Sequence, residues 1–385
     1  MTGHIRKRGK HSWEIKIDFG RDPFTGKRRT KYHSIKGDRK DAEVELRRLL
    51  REIDMEEYVE PSKLKVSEFL LRWLPHIQTQ VSPKTYERYA EITNKHLIPL
   101  FGDHKLSKLR PMHVSTAWSN SLTNGRRDGK GGLSPLTIRH HHRVLKQAIA
   151  QAVRWQILAK NPVENVDPPR VTKKQLTILN QIETGQLLDA LIHSPFYIPT
   201  FLAVTTGMRR GEVLALRWKN VDFDAMQINV VESLEQTRNG LRFKETKNTK
   251  SRHIIMPSVL ANELRSHKIS QAEELFKIGV RQDQDLTVAC QYDGSPMNPE
   301  HLSREFPNHV VKARLPRIRF HDLRHTHASH LLMEGVHPKI AQERLGHSSI
   351  TITQDLYSHL LPGIQKEAVD KLDISLRIAI QNSRS

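Results

Sequence analysis

The sequence predicts a multidomain α+β protein: a small N-terminal β-sheet with one covering helix, an all-α middle domain, and a mixed, mainly α C-terminal domain holding a small β-sheet. Three observations predict it. Apolar residues alternate with polar ones near the N-terminus, recur at helical spacing from residue 61 to 168, and follow both patterns after Pro169. At 385 residues the chain is too long for one average domain, and with 37% hydrophobic residues it can build two or three ordinary cores.

Residues 1–60 make the first domain. Trp13, Ile15, Ile17 and Phe19 alternate with Glu14, Lys16 and Asp18, the period of a strand with one buried face. Asp22 to Gly26 supplies turn residues, and Lys27 to Ile35 reads as a basic returning strand. After Asp38, Ala42, Leu46, Leu49, Leu50 and Ile53 fall on one helical face.

In the second domain, 61–168, Val66, Phe69, Leu70, Trp73, Leu74 and Ile77 form an apolar stripe. Ser82-Pro83 and Ser134-Pro135 each set a capping hydroxyl before a proline at the first helical position. The second of these helices runs to about Ile157 and buries Leu145, Ala148, Ile149, Ala152 and Val153, with a basic glycine-rich loop, 124–132, ahead of it. Asn161-Pro162 and Asp167-Pro168-Pro169 read as a linker.

The third domain, 169–385, carries helices at Gln181 to Leu191, Ile198 to Thr206 and Gly211 to Arg217. A strand-rich middle follows, with β-prone runs at Gln227 to Val231, Leu241 to Lys244 and His253 to Met256, and helices return from about Phe320.

Lys and Arg number 62 against 42 Asp and Glu, a formal net charge of +20. An excess of that size implies a polyanionic partner, most often nucleic acid, because neutralising phosphates releases counterions. The apolar runs fall well short of the ~20 residues that span a bilayer, and no apolar stretch follows the charged N-terminus, so a membrane anchor and a signal peptide are excluded and a cytoplasmic location is expected. The single cysteine, Cys290, rules out a disulfide framework and reads as a small buried hydrophobe. Residues 1–40 hold 13 of the basic residues and only 4 acidic ones. Arg6, Lys7, Arg8, Lys10, Lys27, Arg28, Arg29 and Lys31 would repel one another on a small sheet without a polyanion, so they are read as DNA contacts. His140, His141 and His142 are consecutive, cannot share one metal on a helix, and read as a DNA-facing or merely solvated surface.

Three strings can carry chemistry. Thr206-Gly207-Met208-Arg209-Arg210-Gly211-Glu212 sets an arginine pair between apolar runs, where it is either bonded to Glu212 or held ready for an anion. His321-Asp322-Leu323-Arg324-His325-Thr326-His327 puts His321, Arg324 and His325 on one helical face. It also resembles a zinc motif, against which stand the permanent charge of Arg324 and the lack of a third ligand. Leu345-Gly346-His347 is followed ten residues on by Tyr357. Two arginines can clamp a phosphodiester, a phenol can attack it, and imidazoles can bond the phosphate or move protons, all without a metal or other cofactor.

In their order and combination these strings resemble the tyrosine recombinase (phage integrase) family, whose pattern runs Arg, hairpin Lys, His-x-x-Arg, His or Trp, Tyr. The resemblance implies that Arg209 and Arg324 clamp the phosphate, that Tyr357 is the nucleophile, that His321 accepts a proton and that His347 bonds the phosphate. Glu212 matches the acid supporting the first arginine, and His325 is a supporting residue. Lys244, Lys247 and Lys250 compete for the hairpin lysine; Lys247 fits the family string best, although Asn248 stands where threonine is usual. Residues 1–60 resemble an arm-type DNA-binding domain, 61–168 a helical, SAM-like core-binding domain and 169–385 the catalytic domain. An arm domain points to the integrase of a phage or integrative element. The implied reaction is site-specific strand exchange through a 3′-phosphotyrosyl link, by four protomers on double-stranded DNA with core and arm attachment sites and with accessory DNA-bending or directionality proteins. Ala368, Leu372, Leu376 and Ile380 give the tail an apolar helical face that suits docking on a neighbouring protomer or on its own domain. A type IB topoisomerase would share the chemistry but relax DNA without sequence preference, and a non-catalytic relative would bind DNA without cutting it.

Overall fold

Ile15 and Ile17 are fully buried in β2 (Ser12–Arg21), as the alternation requires. The computed structural model describes residues 2–21, 28–54, 63–172, 176–246, 251–346, 349 and 361–382. It divides into two compact units, Met1–Thr172 and Lys173–Ser385.

In the first unit β2 is the centre of an antiparallel sheet between β1 (Thr2–Gly9) and β3 (Arg28–Lys36). Helix α1 (Arg39–Asp54) covers it. Ile15, Ile17 and Leu49 form the core, closed by Ile5, Leu46 and Leu50. Asp38 caps α1, its carboxylate accepting from the Asp41 N–H at 2.9 Å while Asp41 returns the bond.

A separate core belongs to α2 (Val66–Gln78), α3 (Pro83–Ile92), α4 (Ile98–Phe101), α5 (Pro111–Asn124) and α6 (Pro135–Arg154). The buried residues of α2 are the six of the predicted stripe. Phe101 meets Trp118 edge to face at 5.5 Å across this core. Ser134 caps α6 through the Thr137 N–H at 3.1 Å, whereas the Ser82 hydroxyl turns to that of Thr85. Val153 is only half-buried.

One expectation fails here. His141 and His142 are 2% and 6% exposed, so two of the three consecutive histidines are core residues. His142 accepts from the Trp118 indole at 3.3 Å, and His141 packs against His96 with ring centres 4.3 Å apart. The reason is the phase of α6: positions 141, 142, 145, 148 and 149 share its buried face.

The second unit runs α7 (Gln181–Leu191), α8 (Tyr197–Thr206), α9 (Arg210–Ala215), β4 (Val221–Asp222), β5 (Gln227–Val230), β6 (Glu232–Thr237), β7 (Gly240–Glu245), β8 (Arg252–Ile255), α10 (Ser258–Lys277), α11 (Pro299–Lys312), α12 (Asp322–Met333), α13 (Pro338–Leu345) and α14 (Leu361–Asn382). Strands β4, β5 and β8 form one antiparallel sheet, and β6 and β7 a hairpin. Helices α10 and α11 lie where the sequence predicted no helix before Phe320. The periodicity of α10 is blurred. Val259, Ile269 and Phe276 are exposed on α10, while Gln271 is buried, donating to carbonyls and accepting from the Trp218 indole at 2.7 Å. In α11 Leu302, Phe306 and Val310 do share a buried face, but Pro307 inside the helix reads as a breaker. Strand β6 was missed because its inward residues include Glu235 and Thr237. Cys290 is half-buried beside the Gln271 amide, and burial pushes its thiol up.

Candidate functional site

Helix α8 ends at Gly207, whose φ of +68° favours glycine. A Cβ there would sit 2.5 Å from Leu345 and 2.6 Å from His327, so close packing demands glycine as well. This left-handed turn redirects the chain and sets Arg209 at the start of α9 in extended conformation. Glu212, one turn on, accepts from the Arg209 backbone N–H at 2.9 Å and from its guanidinium at 2.8 Å.

Glu212 is 3% exposed and also takes both terminal nitrogens of Arg252, at 3.1 and 2.6 Å. Burial by itself would raise this carboxyl, but Arg252 and Arg209 outweigh it and hold it at about 2. A bidentate buried pair of this kind fixes geometry as well as charge.

Arg324, on the first turn of α12, is 3% exposed. It donates to the Gly207 carbonyl and to the Leu345 carbonyl, both at 2.7 Å, and reaches no carboxylate among the described residues. Burial and the neighbouring Arg209 push its guanidinium below the usual range. Arg209 in turn reaches the Gly346 carbonyl at 2.7 Å. Three guanidinium groups thus converge with Glu212 as the one carboxylate bonded to them among the described residues. Uncompensated buried cations are costly unless an anion arrives, and each guanidinium still has N–H groups to offer one.

His321 stands at the N-terminus of α12 and meets His325 edge to face at 5.3 Å. Protein around its inner side, with His325 and Arg324 nearby, pushes His321 down to about 4, while its outer side is open to solvent. An uncharged imidazole at that position can accept a proton. His325 is half-buried, and burial lowers it too. Asp322 is occupied by Arg319 at 2.7 Å. Lys244 lies on β7 and is bonded to Glu235 across the hairpin. Lys247 and its competitor Lys250, His347 and Tyr357 lie outside the described residues, as does Lys27. Arg28, Arg29 and Lys31 fall in β3. Arg6 and Arg8 are exposed on β1, both paired with Glu14, whereas Lys7 lies over the Trp13 ring and Lys10 in the turn to β2. No group of three or more His, Cys, Asp or Glu is placed to hold a metal ion among the described residues. No helix among them is long and apolar enough to cross a membrane.

Sequence reasoning missed Arg252 and Arg344 as parts of this site. Both pair with residues far along the chain, Arg252 with Glu212 and Arg344 with the Thr205 carbonyl, so no local pattern marks them.

The phage integrase family matches residues 170–363, and the N-terminal SAM-like domain of phage integrases matches residues 65–123. The ICEBs1 integrase of Bacillus subtilis (strain 168) is 30% identical over 377 residues, covering 96% of this chain and 99% of that protein. The chain belongs to the phage integrase family. It is a tyrosine-type site-specific DNA recombinase. A tyrosine recombinase XerC-like protein of Caldanaerobacter subterraneus is 26% identical across 95% of this integrase and 97% of its own length. The fold is that of the Tn1549 transposon integrase in complex with transposon right end DNA, at a TM-score of 0.66, 21% identity and coverage of 76% and 95% of the two chains. A lambda integrase dimer bound to a core site aligns at 0.57 with 18% identity, covering 91% of this chain and 93% of that one.

Proposed function

We propose that this integrase inserts and excises a phage or integrative element by cutting and rejoining DNA at its attachment sites. The Tyr357 phenol attacks the scissile phosphate, losing its proton to His321. The bond from phosphorus to the 5′ oxygen breaks as Lys247 protonates that oxygen, leaving a 3′-phosphotyrosyl link. Arg209 and Arg324 hold the nonbridging oxygens with His347, Glu212 supports Arg209, and His325 supports His321. A 5′ hydroxyl of the partner strand reverses the step, so the ester energy is conserved and no cofactor is needed. The observation that carries the reading is the buried Arg324, which among the described residues donates only to carbonyl oxygens, beside a second arginine, and so has unmet affinity for an anion.

In this reading residues 1–60 bind arm-type DNA through the basic set on β1 and β3, residues 61–168 clasp the core site, and residues 169–385 cut. Four protomers act on two duplexes in the bacterial cytoplasm, with accessory bending or directionality proteins. The exposed apolar residues of α14, among them Leu372, Leu376 and Ile380, suit docking on a neighbouring protomer. The test is a nicked duplex carrying the element's junction, incubated with the protein in EDTA and run on a denaturing gel. A covalent adduct that Tyr357→Phe does not form supports the reading. Specific binding without an adduct removes it in favour of a DNA-binding protein without strand cleavage.

A further inference from the structure

Three consecutive carbonyls at the end of α13 each receive a guanidinium from a different part of the second unit. The Arg344 carbonyl accepts from Arg252 on β8 at 3.1 Å, the Leu345 carbonyl from Arg324 on α12 at 2.7 Å, and the Gly346 carbonyl from Arg209 before α9 at 2.7 Å. A helix C-terminus leaves its last carbonyls without intrahelical partners and carries the negative end of the dipole. This one turn therefore gathers three like charges that would otherwise separate.

The turn is itself tied down by the Arg344 side chain. Its Nη2 donates to the Thr205 carbonyl on α8, its Nη1 to the Ile255 carbonyl on β8, both at 3.0 Å, and its Nε to the His327 ring on α12 at 3.2 Å. His327 can take that bond only in one state. Its Nδ1 lies 2.8 Å from the Val204 carbonyl, which can only accept, so Nδ1 carries the hydrogen and Nε2 is bare. Burial and the adjacent Arg344 push this imidazole down to about 4, which keeps it uncharged at neutral pH. The same ring closes the space over Gly207, whose carbonyl holds Arg324. Gly346 continues the turn at φ +65°, with Arg252 atoms 3.1 to 3.2 Å from where a Cβ would be.

We propose that Arg344, held by the bare Nε2 of His327, is a positioning residue for strand cleavage: it sets the turn whose carbonyls aim Arg209 and Arg324 at the scissile phosphate and fix Arg252, which anchors Glu212 behind them. Arg344 touches none of the reacting atoms and acts through the arginines. The proposal rests on the recombinase reading above.

The experiment uses the full-length chain and the nicked junction duplex, and reads the single-turnover rate of adduct formation at saturating DNA together with DNA affinity and melting temperature. Arg344→Gln is expected to slow the adduct at least tenfold while affinity stays within about threefold, with Arg344→Lys between the two. His327→Gln, which keeps an acceptor near the Nε2 position, should stay within about threefold of wild type, whereas His327→Leu should match Arg344→Gln. Combining His327→Leu with Arg344→Gln should add little to either, because both break one linkage. A rate for Arg344→Gln within twofold of wild type, or one lowered only in proportion to its folded fraction, overturns the proposal. If Arg344→Gln does not fold, equal rates for His327→Leu and His327→Gln overturn it instead. Failure of the wild type to form any adduct removes the recombinase reading and this inference together; an adduct formed equally by wild type and variants removes this inference alone.

Discussion

Two glutamates in this chain are each flanked by two arginines, and their surroundings give them opposite roles. Glu14, on the N-terminal sheet, is covered mainly by Arg6 and Arg8, whose side chains remain 56% and 54% exposed. Glu14 itself is only 7% exposed, and bonds from Arg8 and Arg6 lower its carboxyl. Glu212 is enclosed by the second unit, and its partners Arg252 and Arg209 are 13% and 38% exposed. Composition is the same in the two clusters. The arginines of the first cluster stay largely in solvent, where a phosphate can reach them, while enclosure of the second turns the carboxylate into a fixed point from which the arginines are aimed.

Breaking the enclosed cluster should have the largest effect. Arg324→Ala should lower the rate of adduct formation about a thousandfold, because a buried donor aimed at developing phosphate charge is removed. DNA affinity should change far less, and an equal drop in both would place Arg324 in binding rather than cleavage. Glu212→Gln should destabilise the fold by about 3 kcal/mol, read from urea unfolding at pH 7, since Arg252 and Arg209 lose their counter-charge.

Acid sharpens the same point. Glu212 sits at about 2 when folded against an ordinary 4.5, so its contribution is complete above pH 4.5 and is lost as pH falls through 2. The stability gap between wild type and Glu212→Gln should shrink by about half between pH 7 and pH 3; a constant gap would show that the carboxylate is not specially stabilised. Gly346→Ala should cost about 1–2 kcal/mol through its left-handed backbone and its closeness to Arg252.

At the exposed cluster the effects should be smallest on folding. Glu14→Gln should leave the melting temperature within about 2 °C. Replacing Arg6 and Arg8 with glutamine should reduce the slope of log affinity against log salt for arm DNA by about 0.9 for each phosphate that the variant no longer neutralises. An unchanged slope would remove both from the DNA interface.

How much was legible varies with the kind of signal. The stripe from Val66 to Ile77 was readable because every apolar residue on that helix face is buried and the pattern is local. Helix α10 was not, since its apolar residues lie on two faces and a glutamine takes a core position through bonds to residues 287, 288 and 290, distant in sequence. His141 and His142 were misassigned because a histidine reads as polar, while its ring packs like an aromatic once one nitrogen is bonded or both are uncharged.

By itself the sequence determined the kinds and order of the chemical groups: Arg209, Glu212, His321, Arg324, His347 and Tyr357 stand in a family order that no folding is needed to read. It also determined the excess positive charge and the helical faces, because both depend on residues close along the chain. Only the tertiary structure decided that Arg252 shares Glu212 with Arg209, that Arg324 is held by carbonyls 207 and 345, and that Arg344 ties α8, β8 and α12 to one turn. Those bonds join residues 17 to 139 positions apart. Such pairings exist only once the core has brought the elements together, and no local pattern encodes them.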